Sequence, residues 1–369
     1  MSAPAGSGSA PRPAAAPRPV ALLLPGQGSQ YPGMATGLYA AEPVFADAVD
    51  EVLEAMGAEG ERIREDWLAG DDEPGEGEGK GEGEGKGERR APRPRPPMDH
   101  VLRSQPLLFT VDFAFGRLVE SWGIRPAALL GHSIGEMAAA TLAGVFTVQD
   151  AARVVLDRVV RLAQAPPGGL LAVAAAPGRL EPYLASGDDP SSGLVVGAVN
   201  APQQTVLAGP EHALRAVDER LRADGLAARR VPALSAFHSP AVAPYAKGAE
   251  QLLATVQRRA PRVPVYSCYT AAPLTAARCA DSAFWAAQPV DTVRFWPALD
   301  ALLTAGAYVL VEAGPGRALS SVARRHPAVR RGHSRVVALS PKGAGSPECE
   351  RACLKAALDE LREEGHTVP

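Results

Sequence analysis

Between the apolar run Ala127–Leu130 and a helical stretch that starts at Glu136 stands Gly131-His132-Ser133-Ile134-Gly135. A strand that passes into a helix through so tight a bend needs glycine on both sides, and the bend throws the central side chain clear of the backbone. Such a strand–turn–helix unit belongs to parallel sheets, where each strand hands the chain to a covering helix. The rest of the sequence supplies more such units. Val20–Leu24 reads as a buried strand ended by Pro25-Gly26, and Val263–Cys268, Tyr308–Glu312 and Val336–Leu339 read likewise. Helical spacing runs through 42–68, Gln105–Trp122, Val148–Gln164, Tyr245–Val256 and Trp296–Leu303, and resumes from Arg317. The expectation is an α/β fold: a large α/β-hydrolase-like domain with a mostly parallel sheet.

Residues 168–232 have a different texture. Strand-like Leu170–Ala175, helical Leu180–Ala185, strand-like Gly193–Val199 and Gln204–Ala208, helical Glu211–Asp224 and strand-like Ala228–Val231 give the order β-α-β-β-α-β. That is the split unit of ferredoxin-like folds, so a small ferredoxin-like subdomain is expected as an insert. The large domain then covers 20–167 and 233–345, and 346–369 ends the chain as an amphipathic helix. Two segments cannot contribute to a core. Residues 1–19 are rich in Pro, Ala, Ser and Gly, and 71–97 carry GEGEGK twice in tandem before APRPRPP. Both are expected to be disordered, the second as a tolerated surface insertion.

Composition narrows the function classes. A net charge of −3 does not suggest a binder of nucleic acid or of anionic membrane. No apolar stretch has the length of a membrane span, and the N-terminus lacks the apolar core of a secretory leader. Cys268, Cys279, Cys349 and Cys353 form no CxxC pair and lack histidines at zinc spacing, so reduced thiols, no metal and a cytoplasmic location are expected. With its own Met1 and C-terminus, the chain is expected to be a free-standing enzyme.

A serine at such a bend acts as a nucleophile only if a base takes its proton. Of the seven histidines, His100 lies beside the low-complexity insert, and His212, His326, His333 and His366 fall in charged stretches expected to be exposed. His132 adjoins the serine from a neighbouring backbone position and is expected to line a pocket. His238, in Ser235-Ala236-Phe237-His238-Ser239-Pro240, follows the last strand of the insert, where the two lobes meet. It is the expected base for Ser133. The N–H of Ile134, at the start of the next helix, is suited to hold an oxyanion.

These residues, with Pro25-Gly26-Gln27-Gly28-Ser29-Gln30, Gln105-Pro106, GHSIGE at 131–136, Arg158 in LDR, VNAPQQTVLAG at 199–209, AFHSP at 236–240 and VEAGPG at 311–316, resemble the malonyl-CoA:acyl carrier protein transacylase family, including the acyltransferase domains of polyketide synthases. The resemblance implies Ser133 as nucleophile and His238 as general base, oriented by a backbone carbonyl somewhere in Gln288–Phe295. It implies an oxyanion hole from the N–H groups of Gln27 and Ile134, and a pocket that includes His132, Phe237 and Asn200. Arg158, on a helix whose apolar face carries Val154, Val155, Val159 and Leu162, either snorkels to solvent or is buried with an anion. The resemblance implies the second, a grip on the free carboxylate of a malonyl-type group. It also implies coenzyme A and phosphopantetheine as parts of the substrates, acyl carrier protein as the partner, a monomer, and no resident cofactor.

Ile134 and Phe237 look like the malonyl-selecting pattern of that family, whose methylmalonyl members carry Gln and Ser at these places. Departures are Ser235 for the usual His of HAFH, and Val159 and Ala163 for Gly and Met, which leave a larger extender unit open. Two other activities fit the same fold: hydrolysis of acyl thioesters, and transfer of an unusual acyl group between carrier proteins.

Overall fold

The computed structural model describes residues 16–69, 95–184 and 193–369. Apart from 16–19 and 95–97, the two segments expected to be disordered lie outside the described residues. Among the described residues ten strands, β1 (Val20–Leu24), β2 (Ala128–Gly131), β3 (Gly168–Val173), β4 (Val195–Ala201), β5 (Gln204–Pro210), β6 (Ala228–Val231), β7 (Val265–Ser267), β8 (Ala272–Pro273), β9 (Val309–Glu312) and β10 (Arg335–Ala338), form two sheets.

The larger sheet has the order β10-β9-β1-β2-β7-β8. Its first five strands are parallel, and only the short edge strand β8 runs antiparallel, beside β7. The sequences VALLL, ALLG and VLVE of β1, β2 and β9 are buried at every position. Side chains alternate between the faces of a strand, so unbroken burial means that both faces are covered. This is why these strands read as solid apolar runs. The helix Val101–Ser121 lies deep in the same core, with Leu108, Phe109, Val111, Phe115 and Val119 fully buried.

The smaller sheet is antiparallel, in the order β4-β5-β3-β6. Counted within the segment, its fourth strand neighbours the first, then the third, then the second, which is the ferredoxin-like arrangement. Its core is separate, built from Leu171, Val173, Leu180, Leu207, Leu214 and Leu221. The helix Glu211–Ala223 buries Leu214, Val217 and Leu221, spaced to share one face. Each such side chain contributes about 1.5–3 kcal/mol when taken out of water.

The two sheets are tied by a strap at residues 288–294. Val293 pairs with β4 through Val199 N–H to Val293 O (2.8 Å) and Val293 N–H to Gly197 O (2.9 Å). The Thr292 hydroxyl donates to Val196 O at 2.9 Å.

Some expected elements are divided. The patterned stretch 42–68 forms two helices, Pro43–Ala55 and Ala58–Leu68, because Gly57 takes φ +61° between them. The helix expected over Tyr245–Val256 likewise breaks at Gly248, φ +90°, into Ala243–Ala246 and Ala249–Thr255. His326, expected to be exposed, is buried. Its ring meets Asp300 Oδ1 at 3.1 Å, lies 5.1 Å from the Trp296 ring and caps the turn Pro327–Arg330. Its charged neighbours in sequence point elsewhere, which local composition could not show.

Candidate active site

In open parallel sheets, sites gather where the carboxyl ends of adjacent strands meet. Here β1, β2 and β7 are neighbours, so the segments after Leu24, Gly131 and Ser267 emerge side by side. Contact between the first two depends on glycine. A Cβ on Gly26 would lie 2.4 Å from His132 O and 3.2 Å from Ser133 Cβ, and one on Gly135 would lie 2.2 Å from Leu24 O. Ser133 sits at φ +55°, in the left-handed region, at a cost of about 1–3 kcal/mol that the packed surroundings maintain. The helix Gly135–Leu142 starts at once after it. Among the described residues, the backbone N–H groups of Gln27 and Ile134 find no acceptor.

His238 also takes a positive φ, +59°, and the strap holds it twice. Its N–H donates to Pro289 O at 2.7 Å, and its ring Nδ1 lies 2.9 Å from Asp291 O. A carbonyl only accepts, so Nδ1 carries the proton and Nε2 presents a lone pair. That Nε2 lies 2.8 Å from Ser133 Oγ. Burial, aided by the neighbouring His132, pushes the His238 pKa down to about 3, against the pull of the Asp291 carbonyl. The imidazole is therefore neutral at ordinary pH, the form a base must take. His132 stands beside it, half-buried, with Nε2 2.9 Å from Asn200 Oδ1, and desolvation lowers its pKa as well.

Ser133 and His238 line two spaces. The outer is a cleft of about 130 Å³ between the sheets, bordered by Gly26–Ser29, His132, Asn200, Arg229 and Val322. The inner is a narrow cavity with room for little more than one water, about 10 Å³, lined by Gln105, Arg158, Phe237, Tyr269, Gln288 and Pro289 as well as the Ser–His pair. Arg158 does not snorkel: it is 8% exposed. Its Nη2 donates to Trp285 O at 3.2 Å and Gln288 Oε1 at 3.4 Å. Among the described residues no carboxylate lies within 4 Å of it. Burial lowers its pKa from the usual guanidinium value, yet it stays a cation at any physiological pH. The inner cavity thus has a nucleophile at its mouth and a desolvated, unpaired cation in its wall.

The sequence pattern that describes an acyl transferase domain matches residues 22–337. The chain belongs to this acyltransferase family. It is 38% identical over 308 residues to a phenolphthiocerol/phthiocerol polyketide synthase protein of Mycobacterium tuberculosis, covering 84% of this chain and 19% of that protein. Polyketide synthase GfsA of Streptomyces halstedii is 34% identical over 302 residues, 82% of this chain and 4% of that one. The acyltransferase therefore spans a fifth or less of these relatives. Among solved structures, the acyltransferase domain from the second module of the salinomycin polyketide synthase superposes with a TM-score of 0.78 at 32% identity, over 95% of this chain and 75% of that one. The malonyl CoA-acyl carrier protein transacylase of Coxiella burnetii, at 23% identity and TM-score 0.72 over 92% and 98%, shares the fold.

All the site residues expected from sequence, Gln27, His132, Ser133, Ile134, Arg158, Asn200, Phe237 and His238, meet around these two spaces, Ile134 as the residue after the nucleophile. Residues that the sequence did not single out also meet here: Tyr269 and the side chain of Gln288 line the inner cavity, and Glu136 is hydrogen-bonded to Gln288. Tyr269 could have been found, since it follows the end of β7, next to the strand that carries the serine. Glu136 stands in a first helical turn, where acidic residues are common at the surface, yet it is fully buried. Burial pushes its carboxyl up to about 8, with hydrogen bonds from Ser267 and Cys268 and the Arg158 charge pulling the other way. Among the described residues no group of three or more His, Cys, Asp and Glu side chains could hold a metal ion, and no helix is long and apolar enough to cross a membrane.

Proposed function

We propose that this acyltransferase takes a malonyl or related dicarboxylic acyl group from coenzyme A and passes it, through an ester on Ser133, to the phosphopantetheine thiol of an acyl carrier protein in polyketide or fatty acid synthesis. The observation that carries the substrate class is Arg158: a buried cation without a carboxylate partner, in the wall of a cavity that opens onto the nucleophile. A free carboxylate at the far end of the acyl group would complete the ion pair and satisfy two guanidinium donors. The narrow inner cavity leaves no room for more than a short acyl group, and the outer cleft suits the long arm of the thioester.

The chemistry follows from the proton positions. Ser133 Oγ attacks the thioester carbon as its proton moves to His238 Nε2, and the backbone carbonyl of Asp291 stabilises the imidazolium through Nδ1–H. The carbonyl oxygen becomes an anion that the N–H groups of Gln27 and Ile134 receive, worth about 3–4 kcal/mol per donor. The C–S bond then breaks, and the leaving thiolate takes the proton from His238. The carrier protein's thiol next enters along the same cleft, gives its proton to His238, and leaves as the acyl thioester while Ser133 regains a proton. Coenzyme A and phosphopantetheine are reactants, so this cycle needs no resident cofactor.

Intact-protein mass spectrometry after mixing with malonyl-, methylmalonyl-, acetyl- and hexanoyl-CoA tests this reading. The expected result is a malonyl-type adduct on Ser133 that a phosphopantetheinylated carrier protein removes. Arg158→Ala should cut malonyl transfer by 10–100-fold, the loss of about 1.5–3 kcal/mol from a charged hydrogen-bonded pair, and spare acetyl transfer. Unchanged ranking of the donors would refute the dicarboxylic reading, and free malonate without an adduct would make the protein a thioester hydrolase.

A further inference from the structure

We propose that Glu136 is a positioning residue for the carboxylate end of the acyl group: it fixes the sense of the Gln288 side-chain amide, and that amide holds the Arg158 guanidinium at the inner cavity. The inference rests on the proposed role of Arg158.

Three elements meet in one chain of hydrogen bonds. Glu136 projects from the helix that follows the nucleophile, and its Oε2 accepts from Cys268 N–H at 2.9 Å, at the end of β7. Its Oε1 accepts from Gln288 Nε2 at 3.3 Å, on the strap. Gln288 Oε1 in turn accepts from Arg158 Nη2 at 3.4 Å, on the helix Val148–Leu162. Glu136 is fully buried and Gln288 is 1% exposed, so water cannot substitute for any of these partners. A carboxyl placed only to favour the helix N-terminus would remain in solvent, where the helix dipole favours it at no desolvation cost. Among the described residues no Lys, Arg or His nitrogen lies within 4 Å of the Glu136 carboxyl; its charge acts on Arg158 through space, and the Gln288 amide adds a hydrogen-bonded link between them.

An amide has two unlike ends, and only one orientation serves. With Nε2 toward the carboxylate, Oε1 faces the guanidinium and both contacts are favourable. Reversed, two N–H groups would confront a cation, and a carbonyl would confront a carboxylate. In its ionised form, which prevails above about pH 8, the Glu136 group only accepts, so there it dictates the orientation. Glutamine at position 136 has the same shape but offers both donor and acceptor, and the amide of Gln288 would no longer be bound to one sense.

The experiment measures kcat/KM for acylation of Ser133 by malonyl-CoA and by acetyl-CoA, at pH 8.5 so that the Glu136 carboxylate prevails, in the wild type and in Glu136→Gln, Gln288→Leu, the double variant and Arg158→Ala. Glu136→Gln and Gln288→Leu should each lower the malonyl/acetyl ratio about tenfold, mainly through the malonyl KM, and the double variant should do no worse than either, as expected for one coupled path. A ratio within twofold of wild type in Glu136→Gln, or equal losses with both donors, overturns the inference while a collapsed ratio in Arg158→Ala leaves the functional reading intact. If Glu136→Gln does not fold, Gln288→Leu decides alone: a retained ratio overturns the inference. A retained ratio in Arg158→Ala defeats the functional reading itself.

Discussion

Replacing Gly26 by alanine tests the oxyanion hole through the backbone of its turn, with a lesser pressure on the Ser133 side chain. The added Cβ would stand 2.4 Å from His132 O and 3.2 Å from Ser133 Cβ, whereas real Cβ contacts essentially never fall below 3.0 Å. The nearest obstruction is backbone, so no side chain can swing aside, and the turn 25–28 must retreat by several tenths of an ångström. The Gln27 N–H retreats with it. A donor displaced from a developing oxyanion forfeits about 2.7–4 kcal/mol, or 10²–10³ in rate. The assay is rapid-quench acylation of Ser133 by malonyl-CoA under single-turnover conditions, with adducts counted by intact mass and folding checked by circular dichroism. The expected outcome is a 10²–10³-fold slower acylation of a folded protein whose donor saturation changes far less. Acylation within threefold of wild type would refute the reasoning, because the Gln27 amide would then carry no charge from the reaction.

Other outcomes follow from the same geometry. Ser133→Gly should abolish acylation yet stabilise the fold by about 1 kcal/mol, since glycine accepts φ +55° without strain, and urea denaturation would read the gain. His238 binds a proton at about pH 6.5 when unfolded but only near 3 when folded, so the unfolded state holds more protons between these values and stability falls as pH drops from 6.5. Wild type should therefore lose up to a few kcal/mol more than His238→Gln between pH 7 and 4, measured as urea midpoints. Tyr269→Ala should enlarge the inner cavity and raise acylation by bulkier α-substituted malonyl-CoA donors about tenfold relative to malonyl-CoA, because Tyr269 lines that cavity together with Phe237 and Arg158. A donor preference unmoved by that change would place the size limit elsewhere.

Much of this was legible in the chain itself. The solid apolar runs at 20–24, 128–131 and 309–312 specify strands buried on both faces, and glycines on either side of Ser133 specify the bend, because both are local consequences of side-chain size and polarity. The order of elements in 168–232 likewise specified the small antiparallel sheet. What the sequence could not express was meeting in space. That Asp291 supplies the carbonyl for His238 depends on a strap hydrogen-bonded to β4, and a backbone carbonyl leaves no mark on residue type. Arg158 alone could have faced water or an anion; only the packing of its helix beneath Trp285 and Gln288 decided that it is buried. Glu136 shows the same division. Its position in a first helical turn is a local fact, while its burial against β7 and Gln288 belongs to the tertiary structure, because desolvation is set by whatever closes over a side chain and not by its neighbours in sequence.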